Sequence, residues 1–135
     1  MTLEILKVGI VSCSGEAIPG GTISRIASRK VLDELRPDAT VTICLPLFIA
    51  GGQEERDFAA TYPTITVDGC EKRCAQKSTE KLSGKPSKSL LIPEILEKQG
   101  IEKPTSLRRL KPEEKVAVKV VAEAIARAVD EILEG

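Results

Sequence analysis

The sequence predicts an α/β fold of three layers, with helices on both faces of a mostly parallel four-stranded sheet, Rossmann-like or flavodoxin-like in class. Three observations lead there. Strand-like and helix-like segments alternate along the chain, the pattern of βαβ units with right-handed crossovers. Apolar residues make up 41% of the 135 residues but aromatics only 2%. The core must then be built from Val, Ile, Leu and Ala, which suits buried parallel strands. Finally, Val8-Gly9-Ile10-Val11 is apolar on both faces, as in a strand covered from both sides.

The elements follow in order. The first strand is expected over Leu3 to Val11. A Gly- and Ser-rich loop then runs from Ser12 to Gly21, with Thr22 as N-cap of a helix reaching about Leu35. Thr40 to Leu45 is the second strand, closed by Pro46. A helix from Gln53 to about Tyr62 precedes the third strand, Thr64 to Val67. Asp68-Gly69 is a turn, and Cys70 to about Leu82 is a third helix. Leu90 to Ile92 is the fourth strand, and Pro93 to Gln99 a short helix stopped by Gly100. An irregular connector over residues 101–111 leads to a last helix over 112–133. Its inward face carries Val118, Val121, Ala122, Ile125, Val129 and Ile132. Residues 1–135 are expected to form a single domain, for which a chain this long has enough buried surface.

Charge excludes several functions. Lys+Arg and Asp+Glu are both 20, so no basic excess is available for nucleic acid or an anionic membrane. No segment approaches the ~18 apolar residues of a membrane span. Met1 to Glu4 lacks a basic leader, so the expected compartment is the cytoplasm, where thiols stay reduced. There is no histidine, which removes Ser-His-Asp and Cys-His triads and every histidine-containing metal site.

Four cysteines remain: Cys13, Cys44, Cys70 and Cys74. Cys13 follows the first strand, Cys44 ends the second, and Cys70 and Cys74 follow the third. In a parallel sheet those strand ends share one edge, where ligand sites of this fold class form. Four thiolates in a tetrahedron make a structural zinc site. Cys70 and Cys74, at i and i+4 of the expected helix, would have Cβ atoms about 5–6 Å apart. Zinc is the first expectation and an iron–sulfur cluster the alternative. Against this, a free cysteine is often only a small buried hydrophobe, a reading that suits Cys44 best.

The loop after Cys13 offers a second chemistry. Ser14, Gly15, Gly21 and Thr22 lead into a helix N-terminus, where backbone N–H groups attract a small anion. Arg25 on that helix could offset thiolate charge, and Arg29 less so. The residue six beyond Cys13 is Pro19, so the Cys-x5-Arg loop of thiol phosphatases is not present. A metal- or thiol-dependent enzyme would use Cys13 as nucleophile, with Asp68, Glu16 or a metal-bound water as acid or base. A thiol redox module built on Cys70 and Cys74 ranks last, because an i,i+4 helical pair is poor disulfide geometry. The simplest role of Asp68 is to form its turn. Oligomeric state is not readable.

Several segments together resemble one family. They are Cys13-Ser14-Gly15, Gly21-Thr22-Ile23-Ser24-Arg25-Ile26-Ala27, Cys44-Leu45-Pro46, and Asp68-Gly69-Cys70 with Cys74-Ala75. In this order they resemble the DGC-domain family over roughly residues 8–105. The resemblance implies that Cys13, Cys44, Cys70 and Cys74 are ligands of a metal ion. It implies no particular reaction.

Overall fold

The computed structural model describes residues 7–13, 15, 17–105 and 109–135. Four parallel strands form its sheet: β1 (Val8–Ser12), β2 (Thr40–Thr42), β3 (Thr64–Asp68) and β4 (Lys88–Leu91). Their order is β2-β1-β3-β4. The register sets Ile10 opposite Thr42 on one side and Ile65 on the other. The chain therefore steps one way from β1 to β2 and the other way to β3, which makes the carboxyl ends of β1 and β3 a topological switch point.

Helices cover both faces. On one side lie α1 (Pro19–Lys30), α6 (Ile92–Lys98) and α7 (Lys115–Glu134). They pack Ile23, Ala27, Leu96, Val121 and Ile125 against Val8, Ile10, Ile65 and Val67. On the other side lie α2 (Leu47–Ala50), α3 (Gln53–Arg56), α4 (Phe58–Thr61) and α5 (Cys74–Leu82). There Val11 and Cys13 meet Phe48, Phe58 and Ala75. The period of two along β1 explains the split: residues 8 and 10 face one layer, 11 and 13 the other. The expected three-layer α/β fold is the fold observed.

Some boundaries differ, each for a physical reason. The strand expected from Leu3 begins at Val8; residues 3–6 lie outside the described ones. The first helix begins at Pro19, not after Thr22. Proline occupies its first turn, where the missing N–H costs nothing. Thr22 is thus a buried helix residue rather than a cap. At its other end the helix widens into a π-turn over Val31–Leu35. The expected helix over residues 53–62 is broken into α3 and α4, and α2 precedes it unanticipated. The last helix is entered through a 3-10 turn, Pro112–Glu114.

Two corrections touch the cysteines. β2 stops at Thr42, so Cys44 lies two residues past the strand in an exposed turn. The third helix starts at Cys74, not Cys70. Cys70 therefore belongs to a turn, and the expected i,i+4 helical pair is not formed.

Candidate metal centre

Cys13 is the buried thiol of the switch point, with 5% of its surface exposed. Its backbone N–H donates to Val67 O at 2.8 Å, continuing the β1–β3 ladder by one residue. The backbone N–H groups of Gly15 and Gly69 donate toward its sulfur. Burial pushes its pKa up, the two N–H groups oppose this, and the charges of Asp68 and Cys74 add to the rise. Cys13 thus follows β1 directly beside the end of β3, from which the chain runs on to Cys74 at the start of α5.

Asp68, the last residue of β3, is 1% exposed. Its carboxylate accepts N–H bonds from Ala75 at 2.7 Å and Gln76 at 3.1 Å. It caps α5 from seven residues upstream, and this is why the helix begins at Cys74 and not at Cys70. Burial raises the Asp68 pKa, while those two bonds and the charges of Arg73 and Lys77 pull it back. Between Asp68 and the helix the chain turns back through Arg73, at φ 52°, in the left-handed region. The Arg73 side chain donates to Gln76 and pairs with Glu94 of α6 at 3.7 Å.

Glycines let three segments stack beside Cys13. A Cβ on Gly69 would lie 2.3 Å from the carbonyl carbon of Gly20, and one on Gly20 only 2.2 Å from Gly69 O. One on Gly21 would lie 2.0 Å from Gly15 O. Backbone therefore meets backbone at distances that exclude any side chain. Ser24, fully buried on α1, donates to Val67 O at 3.0 Å and fixes the same helix to β3.

The remaining candidates are placed as follows. Cys70 is half-buried in the turn after Gly69, while Cys44 and Cys74 are exposed. Among the described residues, no three Cys, Asp or Glu side chains converge closely enough to hold a metal ion. Topology carries the four cysteines to one edge of the sheet without closing a four-thiolate cage. Of the anion-loop candidates, Gly15 directs its N–H at the Cys13 sulfur, and Gly21 donates to Ile18 O at 3.1 Å. Thr22 is buried. Arg25 is exposed and lines a groove between α1 and α7, together with Arg29 and Lys115. Ser14 and Glu16 lie outside the described residues.

The sequence profile of the DGC domain matches residues 9–130. The chain belongs to the DGC-domain family. The match runs past the expected limit near residue 105 and takes in most of α7, so the C-terminal helix is part of the family domain. Comparison with curated proteins and with solved structures returned no match. Among the described residues of this DGC-domain chain, no helix is long and apolar enough to cross a membrane.

Two features of the site were not legible beforehand. One is the cap from Asp68, which spans seven residues and fits no local capping pattern. The other is the Gly20–Gly69 contact, which two glycine-containing segments hinted at without indicating that they meet.

Proposed function

We propose that this DGC-domain protein binds a thiophilic divalent ion, zinc first, through thiolates at the sheet's switch point. The observation that carries this is the sheet order, which sets Cys13, just past β1, beside the end of β3, from which the turn with Cys70 leads to Cys74. The donor chemistry fits: with no histidine, thiolates are the soft ligands on offer, and zinc takes them readily. Cys70 sits in the turn joining β3 to α5 and is half-buried. Cys44, on an exposed turn past β2, lies on the opposite side of β1 from β3 and would complete the set from there. Binding would thus order the edge rather than fill a ready-made cage, as metal sites coupled to folding do.

A bound ion supplies positive charge and holds its thiols as thiolates. The chain's own part is to place Cys13 rigidly, through the Val67 ladder bond and the glycine contacts, and to hold Cys74 at the capped start of α5. Burial keeps the free Cys13 thiol protonated, which argues against its use as an unaided nucleophile.

The test is metal analysis of protein purified without added metal, together with single Cys→Ser variants. One equivalent of zinc is expected. Cys13→Ser and Cys74→Ser should release it, and Cys44→Ser should weaken it least. Less than about half an equivalent, with all thiols titrating freely in the native state, overturns the reading.

A further inference from the structure

A second feature of the same edge is a cleft of about 550 Å³ beside Cys70. Its size falls in the range of small-molecule sites, about 300–1,000 Å³. One wall is the start of α1, with Ile18 and Pro19; the opposite wall is Ile92, Pro93 and Leu96 of α6. Gly20 and Gly69 form its base where they touch, and Lys103 and Pro104 close a third side.

The body of the cleft is aliphatic, and its charges lie at Lys72, Lys103 and Glu71. The ion pairs found among the described residues are Arg29–Asp33, Arg36–Asp130, Arg73–Glu94 and Lys88–Glu131. Neither Lys72 nor Lys103 takes part in one, so both are available to a ligand, and the lining carries a net positive charge. The groove holding Arg25 is larger, about 640 Å³, but Asp33 and Glu34 line it too, and its Arg29 is already paired with Asp33.

We propose that this cleft binds a small organic carboxylate with an apolar body. The aliphatic walls take the body, and Lys72 and Lys103 take the carboxylate. Any such ligand lies against Cys70 and shields its sulfur. The proposal does not rest on metal binding, because the aliphatic walls and the two lysines that would hold the ligand are not metal ligands.

Octanoate is the probe, titrated into the full-length, chelator-treated protein and followed by amide NMR and by site-resolved alkylation. Expected are saturable shifts at Gly20, Gly69, Cys70 and Leu96. Alkylation should slow at Cys70 and stay unchanged at the exposed Cys44. Octan-1-ol, of equal chain length, should bind more weakly. Lys72→Gln with Lys103→Gln should weaken octanoate by roughly fivefold, the product of two exposed charge contacts. Both lysines are exposed, so the double variant keeps its fold. The proposal is overturned by any of three results. These are no saturable binding below about 10 mM, equal affinity for octan-1-ol, or an unchanged affinity in the double variant. Failure here leaves the zinc measurement untouched, and the reverse holds as well.

Discussion

Gly69→Ala is the sharpest test of the architecture around Cys13. The added Cβ would lie 2.3 Å from Gly20 C, 2.5 Å from Gly21 N and 2.6 Å from Gly20 O. All three are backbone atoms in the first turn of α1, so no side chain can swing aside. Gly21 is itself pressed on Gly15, and Ser24 holds the helix to Val67. Relief would require α1 and β3 to part by nearly an ångström. Overpacking of this kind costs about 1–3 kcal/mol, and a rigid contact belongs at the upper end. Unfolding entropy of about 2.1 cal/mol/K per residue makes each kcal/mol worth about 3–4 °C in a chain of this length. A fall in Tm of about 10 °C is therefore expected by circular dichroism. Gly100→Ala is the control. Gly100 has φ +67° with nothing within 4 Å of an added Cβ, so it tests backbone strain alone. That should cost about 1 kcal/mol, or about 3–4 °C. If Gly69→Ala melts no lower than Gly100→Ala, the close approach of α1 to β3 is wrong.

Two further outcomes follow from side-chain bonds. Asp68→Ala removes the acceptor for Ala75 and Gln76 N–H. It should speed hydrogen exchange at those amides and lower stability by about 1–2 kcal/mol in urea denaturation; Asp68→Asn, which keeps one acceptor oxygen, should lose less, and unchanged exchange in Asp68→Ala would remove the capping role. The Arg36 guanidinium, with bonds of 2.8 and 2.7 Å to Asp130, holds that carboxyl below its usual range. Its contribution is present above the unfolded carboxylate value near 3.8 and is lost as pH falls through the lower folded value. Because the pair is more than a third exposed, about 0.5 kcal/mol is expected. Asp130→Asn should lose that much at pH 7 and converge with the parent chain near pH 2; a difference that persists in acid would show that the effect is not the ion pair.

How far the sequence reached can be judged from single residues. β1, β3 and α7 were legible because period and composition agree there: Val8 and Ile10 serve one layer, Val11 the other, and every third or fourth residue of α7 is apolar. Pro19-Gly20-Gly21 read as loop because Pro and Gly punctuate chains. In place, the proline opens α1, and its glycines leave room for other backbone, Gly20 for Gly69 just past β3 and Gly21 for Gly15. Cys70 read as a helix start because local rules favour it, but the acceptor that starts α5 comes from β3, through tertiary structure. The same limit applies to the cysteines. Topology put them on one edge, but strand order, and hence the central place of Cys13 beside Asp68 and Gly69, is not written in any local pattern. The π-turn at Val31–Leu35 had no signal that could have been used.

β2 pairs with its neighbour over just three residues and lies at the margin of the sheet. Beyond it, the chain makes three helices of four residues each before returning to β3. One-turn helices are too short to be stable without tertiary support. Phe48 and Phe58 are the buried anchors of this stretch, with Ile43, Leu45 and Tyr62 half-buried against them. Local opening of this stretch ahead of β1, β3 and α1 is the outcome expected in amide hydrogen exchange. Cys44 follows β2 on that stretch, and Cys13 follows β1 at the centre of the sheet. An ion shared between them would be held from the sheet's centre and from its margin, and its residence time would be set by how often the margin lifts.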